Sequence, residues 1–203
     1  SENLRFGKNL NVLIGENGLG KTHVLKAAYS ALAVSAKGEK ESGSAVPTKS
    51  HLQKALALKL LGVFKPDELG RLARRQASRV RSEVSCLFDD DAENFAFSFH
   101  SASKTEVVIE QLPEQWQKTT SVYLPTRELL TIYPGFVSLY ESTHNSFEET
   151  WRDTCLLLGG LLAKGQKETK IKKILEPIES AMGGRVVLEQ NGGFYLVTSS
   201  GKI

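Results

Sequence analysis

Cysteine is scarce: only Cys86 and Cys155 occur in 203 residues, with no Cys-x-x-Cys pair, and the four histidines show no His-x-x-x-His spacing. This excludes a disulfide scaffold and a zinc site of ordinary spacing, and both thiols are expected to be reduced and buried. Long apolar runs are missing too. The longest, Leu156 to Ala163, has eight residues, Gly159 and Gly160 among them, against the roughly 20 needed to span a bilayer. The opening residues, Ser-Glu-Asn-Leu-Arg-Phe, carry no export signal, so a cytoplasmic protein without a membrane partner is expected. An excess of one charge is also lacking: 26 basic against 23 acidic residues leave a net +3, too little by itself to imply a nucleic-acid partner. With 40% hydrophobic and 24% charged residues, what remains is the balance of a folded globular chain, one domain or one lobe of a larger one.

Leu10 to Ile14 form a short apolar run closed by glycine, the pattern of a strand buried on both faces, which predicts a parallel sheet. From Lys21 to about Ser35, Val24, Leu25, Ala28, Ala31 and Leu32 repeat at helical spacing. Residues 37–79 read as an insertion: a Lys-, Gly-, Glu- and Ser-rich loop from Ala36 to Pro47, then helices over Leu52–Leu61 and Pro66–Gln76. The period changes over 80–111, where Phe95, Phe97 and Phe99 alternate with small or polar residues, predicting an antiparallel meander. Ser121 to Leu124 read as another short strand, followed by an irregular turn at Pro134 and Gly135. A helical segment spans 136–182, with helices over Phe147–Leu158 and Glu168–Met182. A hairpin over 185–198 turns at Asn191, Gly192 and Gly193.

The chemistry is carried by Gly15, Glu16, Asn17, Gly18, Leu19, Gly20, Lys21 and Thr22, which match G-x-x-x-x-G-K-[ST] between a predicted strand and a predicted helix. Glycines let such a loop wrap a polyphosphate and turn successive N–H groups toward its oxygens. The helix behind it adds the positive end of its dipole. Lys21 is the expected contact to the terminal phosphates and Thr22 the expected ligand of a magnesium ion shared with them. The implied ligands are ATP and Mg2+.

With the phrase Gly-Glu-Asn-Gly-Leu-Gly-Lys-Thr over residues 15–22 and a leucine-containing helix after it, the chain resembles the ABC-type ATPase heads of the SMC, RecF and OLD-like group. Val122 to Leu130 and Pro134 to Tyr140 are similar to bacterial ATPases of this group associated with phage defence. The resemblance implies an α/β P-loop NTPase: an ABC-type head lobe with a parallel core strand, an antiparallel meander and a helical insertion. It also implies a signature helix, an Asp-Glu-ended Walker B strand and a switch histidine, none of which occurs before Ile203. The chain is therefore expected to be the N-terminal lobe, over 1–203, of a longer head. Such a lobe binds nucleotide but needs its remaining half to hydrolyse it. The implied full-length partners are a second copy, as a homodimer or higher oligomer, an effector protein and DNA or RNA.

Such heads place a glutamine after the strand that corresponds to 121–124. Here Thr126, Arg127 and Glu128 stand instead, so Thr126 or Glu128 is a candidate for that role, with helix capping the other account of Glu128. Two alternatives remain open. Asp89, following Val84 to Phe88, would serve as a Walker B acid in a self-contained NTPase or kinase, or would be one acid of a solvated turn. Arg71, Arg74, Arg75, Arg79 and Arg81 would contact nucleic-acid phosphates in a module with a vestigial P-loop, or would form a solvated face, as would Lys164, Lys167, Lys170, Lys172 and Lys173.

Overall fold

A computed structural model describes residues 3–16, 18–73, 81–125, 132–143, 146–162, 168–188, 194–199 and 201–202. The chain divides into two compact units, residues 1–121 and 122–203.

In the first unit, helices α1 (Lys21–Ser42) and α2 (Lys49–Phe64) precede strands β1 (Arg81–Cys86), β2 (Phe95–His100) and β3 (Val108–Gln111). The strands form one antiparallel sheet in the order β1-β2-β3, with Val84 opposite Phe97 and Phe97 opposite Ile109. The meander expected from alternating phenylalanines is thus formed. Phe95, Phe97 and Phe99 point to one face, as period-two alternation requires, and bury there with Ala31 and Val34 of α1 and Leu52, Leu56 and Leu60 of α2. Gln53 fastens α2 to the sheet: its carbonyl accepts from the Val107 N–H at 3.2 Å and its amide donates to the Val107 carbonyl at 3.2 Å.

Several expectations need correction. No parallel strand is formed among the described residues; both sheets are antiparallel, and residues 10–14 belong to neither. Their side chains face solvent, with Leu10 86%, Val12 67% and Ile14 91% exposed, because no neighbouring strand of the described chain lies alongside to cover them. The predicted loop from Ala36 is instead the end of α1, which runs to Ser42 and closes on Gly43 at φ 67°, its N–H donating to the Glu39 carbonyl. Gly38, a breaker by propensity, is kept there because the six-membered ring of Trp116 occupies the space of its missing Cβ. Of the expected helix over 66–76, the described residues 66–73 form only a 3₁₀ turn at Leu69–Leu72, and 74–76 lie outside the described residues. Gly70 donates to the Ser103 carbonyl at 2.8 Å, and a Cβ on it would lie 2.3 Å from the Ser101 carbonyl oxygen, so the segment is pinned to the β2–β3 connection. Finally, residues 121–124 are not a strand.

The second unit holds α3 (Tyr133–Ser142), α4 (Glu149–Leu162), α5 (Glu168–Met182) and an antiparallel sheet of β4 (Gly184–Leu188), β5 (Phe194–Thr198) and β6 (Gly201–Lys202). The turn expected at Pro134 and Gly135 is the start of α3, since proline in the first turn of a helix gives up only an N–H that would be unpaired anyway. Phe136, Phe147 and Trp151 form an aromatic cluster with centroids 5.2 to 5.9 Å apart, packed with the buried Cys155. Thr154 Oγ1 lies 2.8 Å from the Tyr123 carbonyl, tying the segment around Tyr123 to α4. The predicted hairpin is present as β4 and β5, with Gly184 opposite Thr198; its glycine turn lies outside the described residues.

Alanine normally stabilises a helix interior over glycine by about 1 kcal/mol, but position 38 should behave oppositely. A Cβ there would lie 2.1 Å from Trp116, and the indole is anchored by its N–H to the Ser44 carbonyl at 2.9 Å. Gly38→Ala is expected to lower unfolding free energy by about 1 to 3 kcal/mol through overpacking, read from urea denaturation. A stabilised variant would contradict this packing.

Candidate functional site

The glycine-rich loop is described at every motif position but Asn17. Gly18 and Gly20 sit at φ 87° and 85°, a region L side chains rarely adopt, so two of the motif glycines are needed by the backbone itself. Gly20 is also the N-cap residue of α1. No side chain caps that helix, and no acidic residue lies in its first turn, which leaves its orphan N–H groups for an anion.

Lys21 folds back over the loop. Its Nζ donates to the carbonyls of Gly15 at 2.6 Å and Glu16 at 2.7 Å, residues six and five positions earlier. An ammonium held by two neutral carbonyls at the mouth of a turn would find stronger, charge-assisted partners in a polyanion. The space at Gly15 is limited: a Cβ there would meet Leu19 Cδ1 at 3.3 Å and Lys21 Cδ at 3.9 Å. Thr22, in the first turn of α1, is exposed and free to face a cation. Lys21 and Thr22 thus follow the glycine loop in the first turn of α1, whereas the strand expected to lead into the loop is not formed.

Beside this loop the structure brings two residues that the motif does not single out. The His23 ring, directly after Thr22, lies 5.5 Å from the ring of Phe64, the last residue of α2, and Lys26 Nζ lies 5.6 Å from that same ring. His23 was adjacent to the motif and so within reach of sequence reasoning. Phe64 was not, because its place depends on how α2 packs back along α1.

The remaining candidates do not join the loop. Thr126, Arg127 and Glu128 lie outside the described residues, as do Arg74, Arg75, Arg79, Lys164 and Lys167. Lys170, Lys172 and Lys173 fall within α5. Asp89 is exposed in the connection between the antiparallel strands β1 and β2. Its neighbours there are structural: Asp90 accepts from the Ala92 N–H and Asp91 from the Asn94 amide. Arg81 is engaged on the sheet, donating through Nε to Ser98 Oγ at 3.0 Å and pairing with Glu110. Among the described residues no cluster of His, Cys, Asp or Glu is arranged to hold a metal ion. No described helix is long and apolar enough to cross a membrane. Burial pushes the Cys86 thiol up to about 11 and also raises that of Cys155, so neither is a thiolate nucleophile near neutral pH.

No protein-family model, curated protein or solved structure matches the chain.

The Ser98 hydroxyl and then Arg81 hold the Glu110 carboxyl below its usual 4.5. A carboxylate whose pKa is depressed by folding stabilises the native state above its unfolded pKa, and that contribution is lost as pH falls through the lower folded value. Urea midpoints of the native chain and Glu110→Gln should therefore differ near neutral pH, with the native chain more stable, and converge as the solution is acidified below 4.5. A difference independent of pH would show that the carboxylate charge is not what the triad holds.

Proposed function

We propose that the chain binds magnesium-ATP through residues 15–22. What carries this reading is the return of Lys21 Nζ onto the Gly15 and Glu16 carbonyls across a loop with two left-handed glycines, in front of an uncapped helix. A bound polyphosphate could take that ammonium over from the two carbonyls as a stronger, charge-assisted partner. Converging N–H groups would take the phosphate oxygens, Lys21 the terminal phosphates, and the Thr22 hydroxyl the magnesium ion. Bound magnesium neutralises charge between neighbouring phosphates; the loop supplies position and donors.

The wider reading is of an ABC-type ATPase head lobe in a cytoplasmic protein. In it, hydrolysis requires an acidic strand end and a signature helix from the head's remaining half, and drives or gates an effector acting on nucleic acid. Support comes from Leu10, Val12 and Ile14, apolar side chains next to the loop that are exposed and would be covered by a neighbouring strand. A self-contained NTPase built on Asp89 gains no support, since that carboxylate lies in the turn of an antiparallel pair.

A charge-assisted phosphate contact contributes about 1.5 to 3 kcal/mol. Lys21→Ala is therefore expected to weaken magnesium-ATP binding by about tenfold or more in calorimetric titration, with the fold intact because the side chain is partly exposed. Titrations of native chain and variant that overlay would remove the assignment. Turnover by this chain that Asp89→Asn abolishes would favour the self-contained enzyme.

A further inference from the structure

We propose that the imidazole of His23, backed by the ring of Phe64, is the stacking surface for the nucleobase of the bound nucleoside triphosphate. This rests on the phosphate-loop reading above and extends it to the part of the ligand that the loop does not touch. A loop of N–H groups with one lysine recognises a polyphosphate and is indifferent to the group attached beyond the α-phosphate. The base hangs from the ribose on the far side of that phosphate, where the first turn of α1 and the side chains packed beside it are within reach.

His23 offers a flat side chain there. His23 is exposed, two residues from Lys21 in the first turn of α1, and its ring is set against that of Phe64 at 5.5 Å and 42°. Phe64 is fixed in turn. It ends α2, where Lys65 turns into the left-handed region at φ 51° and donates its N–H to the Leu61 carbonyl. One helical turn beyond His23, Lys26 Nζ lies 5.6 Å from the same ring, so residues 23 and 26 of α1 both engage Phe64. An imidazole supported by a second ring loses little freedom when a base lies on it, and that preorganisation makes an exposed ring a useful contact. Stacking of this kind accepts any aromatic base, because every base offers a π-face. The surface therefore selects nucleotides over inorganic polyphosphate, with weak preference among bases.

Calorimetric titration with magnesium-ATP and with magnesium tripolyphosphate separates the two contacts. The native chain should bind ATP more tightly. His23→Ala should lose about tenfold in ATP affinity with tripolyphosphate unchanged, and His23→Phe should restore ATP binding. Equal losses for both ligands in His23→Ala, or no loss for either, would overturn the stacking surface and leave the phosphate loop standing. Failure of the native chain to bind either ligand would overturn the phosphate loop, and the stacking surface with it.

Discussion

Burial of β2 on both faces is the constraint on which the first unit depends. Phe95, Ala96, Phe97, Ser98 and Phe99 are all buried, so the strand needs a neighbour on each side and helices over its phenylalanine face. β1 and β3 supply the neighbours, and α1 and α2 supply the cover. Full burial of each large side chain contributes about 1.5 to 3 kcal/mol, so the phenylalanines and the leucines of α2 outweigh the local preferences that argue against this arrangement. Gly38 inside α1 is the clearest of these: a residue costing about 1 kcal/mol relative to alanine is kept because only its missing Cβ admits Trp116.

That same packing fixes the candidate site. α1 is held along its middle, at Ala31 and Val34, and its N-terminal turn projects beyond the core. The loop from Gly15 to Gly20 is thus mounted on a rigid helix while remaining exposed. α2, returning along α1, ends at Phe64 beside that turn. Anchoring by the sheet and presentation by the helix end give a glycine loop fixed donors without burying it.

Much of this was legible in the sequence where one period governs a segment. The phenylalanine alternation predicted the meander, and the helical spacing predicted α1, α2, α4 and α5. Legibility failed where a distant residue decided the outcome. The extension of α1 to Ser42 depends on Trp116, and the 3₁₀ turn at Leu69–Leu72, where a helix was expected, depends on Ser101 and Ser103. The strand at 10–14 failed for a different reason: its pattern describes what it would bury in a sheet, and the described chain gives it no neighbouring strand. At the site, the glycines and Lys21 could be read from spacing alone, whereas the His23–Phe64 contact needed the fold.

Residues 15–22 are proposed to bind nucleotide phosphates although no strand is formed before them. The most direct test of that binding is a titration of the isotopically labelled chain with magnesium-ATP, tracked through backbone amide resonances. The largest shifts are expected on Gly18, Gly20, Lys21, Thr22 and His23, because their N–H groups would acquire phosphate partners, with the β1-β2-β3 sheet unchanged. Saturating ATP that leaves those five amides unmoved would contradict phosphate binding there.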